Sequence, residues 1–306
     1  MSEIRASAII PTYNRAELTV RAVESALAQT SPPIEILVVD DGSTDDTREA
    51  MAQFGSAVRY VYQPNAGVAA ACNTGARQAT GDWISFLDSD DVWLPSYFEQ
   101  LVTAIETTGG GAELYFADIT LEGSGSVWEE GRFSIEGAHE LREDPADWLM
   151  LPLQPMTSQG AMIRRETYLQ LGGMETSLLG REDTHLFFRI GLAGPACAVA
   201  GVAAEMTDDA APVSRLTAIH RPTTRTYCEQ TIWLYKDVLD GHPSLTRRHR
   251  RVLRRRLAAG YWDRARLELH DMRFAGCVVA ATRSCALAPT VAVGRTKRWI
   301  VRHRTA

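Results

Sequence analysis

Apolar positions in the first hundred residues fall into short blocks separated by polar turns, and the blocks alternate between two periods. Residues 6–10, 34–39, 58–62 and 83–87 are mostly apolar runs that read as strands, 34–39 with the near-continuous pattern of a strand covered on both faces and 83–87 as a buried strand. Between them, Leu18, Val20, Ala22, Val23, Ala26 and Leu27 recur at helical spacing. A second helix is predicted from the Ser43–Asp46 caps to about Phe54, and a small-residue helix ends at Ala79 before Gly81 breaks it. Strand and helix in alternation predict an α/β fold, doubly wound, with a mixed, mostly parallel sheet.

Further along, Gly109-Gly110-Gly111 reads as a turn and residues 114–119 as a strand. Residues 123–137 read as a loop-rich stretch that leaves Trp128 exposed. Trp148, followed by Leu149 and Met150, reads either as the wall of an acceptor groove or as core packing. Residues 160–164 predict a strand and 168–173 a helix ended by glycine. Glu182 and Asp183 then open a helix whose apolar side carries Leu186, Phe187, Ile190 and Leu192. The pattern divides the chain into residues 1–110, 111–240 and 241–306, the last a helical C-terminal extension with a hairpin pattern.

Charge separates that extension from the rest. After residue 246 there are sixteen Arg or Lys against three Asp or Glu, whereas the preceding residues hold sixteen against thirty-five. The run Arg247-Arg248-His249-Arg250-Arg251 and Arg254-Arg255-Arg256 suits an anionic membrane surface or a solvated helical face. Nucleic acid is not expected as a partner, because aromatic interleaving is sparse and no reading motif occurs. Five scattered cysteines, never spaced Cys-x-x-Cys, argue against a disulfide framework or zinc site and fit a reducing cytoplasm. No basic-then-apolar leader and no run of about 18 apolar residues is found, so the expected location is cytoplasmic or peripheral on the cytoplasmic face of a membrane.

Candidate chemistry gathers where strands end. Phe86-Leu87 is followed by Asp88-Ser89-Asp90-Asp91, and residues 34–39 are followed by Asp40 and Asp41. Loops leaving strand tips form the ligand crevice of open α/β sheets. Carboxylates packed this closely repel by about 4 kcal/mol per pair at 4 Å and an effective dielectric of 20, which a divalent cation relieves. The plainer reading of each acidic stretch is a turn or a helix cap. Three tips bearing Thr12-Tyr13-Asn14, Asp40 and Asp88–Asp90 can converge on one ligand: Tyr13 offers a stacking face, Asp40 an acceptor, and the acidic loop a metal site.

Ile10-Pro11-Thr12-Tyr13-Asn14-Arg15, Val38-Val39-Asp40-Asp41-Gly42-Ser43, Asn65-Ala66-Gly67 with Asn73-Thr74-Gly75, and Phe86-Leu87-Asp88-Ser89-Asp90-Asp91 together resemble the ordered signature blocks of the family 2 glycosyltransferases with the GT-A fold. The resemblance implies an inverting transfer from a nucleoside-diphosphate sugar, a uridine donor being commonest, to a sugar, lipid-linked or other hydroxyl acceptor in glycan, polysaccharide or glycolipid synthesis. It implies Mn²⁺ or Mg²⁺ as cofactor. Donor-contacting positions by this resemblance are Pro11, Thr12, Tyr13, Asn14, Arg15, Asp40, Asn73, Asp88 and Ser89. Asp90 falls at the metal ligand, with Asp88 bridging ribose and metal. Asp183 falls at the general base, with Glu182 beside it toward acceptor or diphosphate. His220 and Arg215, in a polar segment, are candidates for a metal ligand and a diphosphate contact. Many relatives carry Arg where this chain has Cys72, which leaves Arg15 or Arg77 to supply the cation.

Two other readings remain. Asp88-Ser89-Asp90-Asp91-Val92 also fits the Asp-x-Asp-x-Val pattern of haloacid-dehalogenase-like phosphohydrolases, although no Lys precedes Lys236 and the Tyr13 and Asp40 blocks would have no role. A non-catalytic, membrane-associated scaffold of transferase fold is the other.

Overall fold

The structure, a computed structural model, describes residues 3–121, 125–206, 224–243 and 245–292. It divides into two compact units, Met1–Ser177 with Glu182–Ala211, and Leu178–Arg181 with Pro212–Ala306.

The first unit is built on one mixed sheet. Its strands are β1 (Ala6–Thr12), β2 (Glu35–Asp40), β3 (Arg59–Tyr62), β4 (Trp83–Phe86), β5 (Asp91–Trp93), β6 (Leu114–Leu121), β7 (Gly125–Ser126), β8 (His139–Arg142), β9 (Ala161–Arg164) and β10 (Ala196–Met206). They lie in the order β3-β2-β1-β4-β9-β6-β10-β5, with β7 paired to β6 and β8 to β10. The β3-β2-β1-β4 half is parallel throughout, and β6 pairs β10 in parallel as well. Antiparallel β9 joins the two halves. Helices α1 (Ala16–Leu27), α2 (Thr47–Ala52), α3 (Val68–Gln78), α4 (Tyr97–Thr107), α5 (Val127–Gly131), α6 (Ala146–Leu149), α7 (Arg165–Gln170) and α8 (Glu182–Ala193) complete the unit.

Three of the four apolar blocks become covered strands, with all seven residues of β1, five of six in β2 and all four of β4 buried, whereas the 58–62 block becomes the edge strand β3, none of whose residues is buried. The small residues of α3 are a packing requirement. A Cβ on Gly75 would stand 2.4 Å from Ile9 Cγ2, so only glycine lets the helix lie this close to β1.

Trp128, read as exposed, is instead buried, although much of the stretch from 129 to 137 is exposed and irregular. Trp128 is 7% exposed, its Nε1 donates to the Pro155 carbonyl at 2.9 Å, and its ring meets Phe133 edge-on at 4.7 Å. Ser126 and Glu129 close a capping box around α5 that turns the Trp inward. Trp148 belongs to the same cluster, 5.5 Å from Phe116 and 5.7 Å from Phe133. With the Arg142 guanidinium over its ring at 4.6 Å and 4% exposure, it is core packing and not a groove wall. The aromatic rings attract one another more than they attract water.

The second unit contains α9 (Arg225–Gly241), α10 (Arg247–His270) and α11 (Phe274–Leu287). Thr224 and Thr246 cap α9 and α10 through side-chain oxygens. Not every residue of the basic run faces outward. His249 is buried, and the Arg250 guanidinium donates to the Leu239, His242, Pro243 and Leu245 carbonyls, closing the end of α9. Arg264 pairs with Glu229 at 2.8 Å and Arg225 with Glu268 at 3.0 Å, which ties α9 to α10. Arg181 lies between the Tyr227 and Tyr235 rings and donates to the Tyr227 hydroxyl at 2.8 Å. No helix among the described residues is long and apolar enough to cross a membrane.

Candidate active site

Because β1, β2 and β4 run parallel, the loops that follow them leave from one edge of the sheet. Thr12 is opposite Asp40 in register, and the Leu87 N–H donates to the Ile9 carbonyl one step before the acidic loop. Asn14 ties the first two loops together. Its N–H donates to Ser43 Oγ at 2.8 Å and its Oδ1 accepts from the Thr44 N–H at 2.7 Å. Asn14 does this from a left-handed backbone, φ 51°, a region asparagine tolerates better than most residues. Tyr13 is left 46% exposed at the mouth of the crevice.

Pro11, Thr12 and Asp40 are buried. Thr12 shares a hydrogen bond with Thr19, 2.6 Å, at the first turn of α1. One Asp40 oxygen accepts from the Ser43 N–H at 2.7 Å and the other from the Tyr60 hydroxyl. Burial and the adjacent Asp40 push the Tyr60 phenol up to about 12. The neighbouring Asp41 is purely structural. It accepts from Gln63, from the Ala66 N–H and from the Gly67 N–H, and so shapes the Asn65-Ala66-Gly67 turn.

The third loop holds a cluster of carboxylates. Carboxylate oxygens of Asp88, Asp90 and Asp91 lie within 4.8 Å of one another. Arg15 Nη1 reaches Asp90 Oδ2 at 3.0 Å, which places the last residue of the first block against the metal position of the fourth. Asp88 is pushed up to about 7, chiefly by burial and then by the charges of Asp90 and Asp183, against the opposing pull of Arg15 and Gln159. Three clustered carboxylates beside one guanidinium leave the loop short of positive charge. A hard divalent cation fits an oxygen set of this kind.

Asp183, on the first turn of α8, is close enough for its charge to raise Asp88, so the expected base and the acidic loop share one site. Its Oδ1 accepts from the Thr184 N–H and hydroxyl. Glu182, Asp88 and Asp41 all act on the Cys72 thiol, which complete burial and these charges push up. The position where the resemblance led to an expected Arg is thus a buried thiol near acids, its ionisation opposed by burial and by their charges. Arg77 donates to Thr74 and lines an open cleft of about 460 Å³ with Gln63, Asn65 and Asn73.

Asn73 departs from its expected role as a donor contact. Its Nδ2 donates to the Met174 carbonyl, and its Oδ1 accepts from the Tyr168 hydroxyl and the Met174 N–H. The amide anchors the turn at Gly173 and is 8% exposed. Ser89, likewise expected at the donor, is 3% exposed. His220 and Arg215 lie outside the described residues.

Gln159 is the site residue that the motifs did not reveal. Its Nε2 donates to Asp88 Oδ2 at 2.7 Å and to Asp91 Oδ2 at 2.9 Å, while Trp93 Nε1 donates to its backbone carbonyl at 2.7 Å. Both donors of one amide are thereby spent on two carboxylates. The only local hint was its place between Thr157 and the 160–164 strand.

The model of the family described as Glycosyl transferase family 2 matches residues 7–172, more than half of the chain. The chain belongs to that family. Among its relatives, an uncharacterized glycosyltransferase of Nostoc is 35% identical over 151 residues, covering 48% of this chain and 46% of the relative. The chain therefore spans about half the length of that relative. Two solved structures share the GT-A fold. Staphylococcus aureus TarS 1–349 in complex with UDP-GlcNAc superposes with a TM-score of 0.69 at 13% identity, covering 96% of this chain and 92% of that one. The mannosyltransferase PcManGT of Pyrobaculum calidifontis, in complex with GDP-Man and Mn²⁺, does so with a TM-score of 0.56 at 20% identity, covering 98% and 82%. Family 2 membership removes the support for the phosphohydrolase reading of the Asp88 block.

Proposed function

We propose that this family 2 chain is an inverting glycosyltransferase that moves a sugar from a nucleoside-diphosphate sugar, a uridine donor being favoured, to a hydroxyl acceptor. The observation that supports the reading is the cluster of Asp88, Asp90 and Asp91 carboxylates, with Asp183 near enough for its charge to act on Asp88 and with the first two strand-tip loops tied together by Asn14. In it, Tyr13 stacks on the base, and Asp40 with Thr12 selects base and ribose. Asp90 with Asp88 would hold Mn²⁺ or Mg²⁺, which supplies positive charge opposite the leaving diphosphate. Arg15, already at the acidic loop, takes the cationic role that Cys72 leaves open.

Asp183 acts as general base. It accepts the proton of the acceptor hydroxyl as that oxygen bonds to the anomeric carbon. The bond from that carbon to the diphosphate breaks on the opposite face, its electron pair leaves with the diphosphate, and the configuration inverts. A positioned carboxylate base contributes typically about 10² to 10⁴-fold. Glu182, adjacent to the base, is placed on the acceptor side. The neighbours' donors, UDP-GlcNAc and GDP-Man, mark the range of nucleotides to test. The acceptor class is a sugar, a lipid-linked sugar or another hydroxyl compound of glycan, polysaccharide or glycolipid synthesis. Five free cysteines suit a cytoplasmic setting.

The test is a thermal-shift series of UDP, GDP and dTDP with and without Mn²⁺. One nucleotide class should stabilise the fold by about 2.7 kcal/mol at a hundred times its Kd, with the larger shift when Mn²⁺ is present. Absence of a shift with every nucleotide defeats the donor assignment.

A further inference from the structure

The helical unit carries a surface that the transfer reaction does not use. Five of the thirteen large apolar side chains exposed among the described residues fall between 269 and 279: Leu269, Met272, Phe274, Val278 and Val279. They are between 40% and 71% exposed, so they stand out into water and do not line a groove. Phe274 and Val278 are one helical turn apart with Val279 beside them, which makes a stripe along the outer side of α11. The inner side is small: Ser284 Oγ donates to the Ala258 carbonyl at 2.8 Å, and a Cβ on Gly276 would lie 2.9 Å from the Glu268 carboxyl. The two helices therefore form a close hairpin that leaves its large residues outside. At the turn, Met272 adopts φ 58°, a left-handed conformation that bulky side chains rarely take.

Charge decides what could cover this face. Residues 261–287 around the stripe carry four Arg against Asp263, Glu268 and Asp271, and exposed Arg247, Arg248, Arg251, Arg254 and Arg255 continue the basic face along α10. Arg266, Arg273 and Arg283, all exposed, lie on the hairpin itself. Two copies pairing along this helical face would bring both sets of arginines together. An anionic, fluid interface accepts both the guanidinium groups and apolar side chains that have no complementary shape to meet. The fourteen residues of α11 would extend about 21 Å, short of a hydrocarbon core of about 30 Å, so the helix suits the plane of a bilayer surface.

We propose that the α10–α11 hairpin docks on an anionic lipid bilayer, with Met272, Phe274, Val278 and Val279 entering the acyl boundary and Arg266, Arg273 and Arg283 meeting lipid phosphates. This inference is independent of the sugar-transfer reading, and its test needs no activity.

The experiment is flotation of the full chain with vesicles of phosphatidylcholine alone and of phosphatidylcholine mixed with phosphatidylglycerol, at low and high salt. Binding is expected only to the mixed vesicles, weakened by salt. The double variant Phe274→Glu, Val278→Glu should lower partitioning by at least about tenfold, the scale set by one large apolar side chain leaving water, with the circular dichroism and Tm of the parent. As a measurement that does not depend on that variant folding, a Cys277→Ser chain labelled at native Cys285 with a polarity-sensitive fluorophore should shift to the blue on mixed vesicles. No flotation with mixed vesicles, undiminished flotation of the double variant, or no spectral shift at Cys285 overturns the proposal. So does a dimer in light scattering that the double variant converts to monomer, because the face would then belong to a second copy.

Discussion

Replacing Asp88 by Asn tests the electrostatics of the site without its chemistry. In the folded chain Asp88 stands near 7, held up by burial and by Asp90 and Asp183, whereas its ordinary value is 3.8. A carboxyl raised on folding contributes fully to stability only while it is protonated in both states, below its unfolded value. As pH rises from about 4 to 7 the unfolded chain loses the proton before the folded one, so the fold weakens across that window and then levels off. At 1.36 kcal/mol per tenfold, the difference corresponds to about 4 kcal/mol, and partial solvent contact at Asp88 reduces the expectation to about 2–4 kcal/mol. Asn has the same shape, keeps an oxygen for the Gln159 amide and carries no charge. In EDTA at pH 8 the Asn variant should therefore be more stable than the parent by that amount, with the gap falling below half of it near pH 5 and nearly closing near pH 4. Urea unfolding followed by tryptophan fluorescence at pH 4, 5, 6, 7 and 8 measures both curves. Added Mn²⁺ should narrow or reverse the gap at pH 8 by stabilising the parent and leaving the variant nearly unchanged. A variant less stable than the parent at pH 8 in EDTA, or a gap that does not vary with pH, refutes the reasoning.

The remaining predictions concern neighbours of that carboxyl. Asp183→Asn should reduce sugar transfer by about 10² to 10⁴-fold while leaving nucleotide-diphosphate affinity within about threefold in calorimetry, because the base acts on the acceptor proton. Arg15→Gln frees Asp90 of its 3.0 Å ion pair, so Mn²⁺ alone should bind more tightly and the nucleoside diphosphate more weakly, two opposite changes readable in one titration series. Gln159→Leu removes the amide that bridges Asp88 and Asp91; at about 1.5–3 kcal/mol for a hydrogen bond to a charged group, unfolding in EDTA at pH 8 should show a loss of about 2–4 kcal/mol. The loss should shrink near pH 5, where Asp88 already holds a proton.

The parallel half of the sheet was legible along the chain because β1, β2 and β4 are buried nearly throughout and announce themselves as apolar runs ended by a turn. The same local grammar marked Tyr13, Asn14, Asp40 and Asp88–Asp90, since residues at strand tips of one parallel set must leave from one edge. Residues 196–206 gave no such signal. Their alanines and glycine have little strand preference of their own, and they become β10 only through pairing with β5, β6 and β8. Trp128 read as exposed loop, and Trp148 was left between groove wall and core, because their partners, Phe116 and Phe133, are brought to them by packing. The contacts that set the charge of the site span the chain: Arg15 reaches Asp90, Asn73 reaches Met174, and Gln159 reaches back to Asp88 and Asp91. Local order could state which residue types stand at each strand tip. Which amide or guanidinium neutralises which carboxylate was decided by tertiary structure, because a buried charge is stabilised by whatever the fold places within hydrogen-bond reach, however far away in the chain it lies.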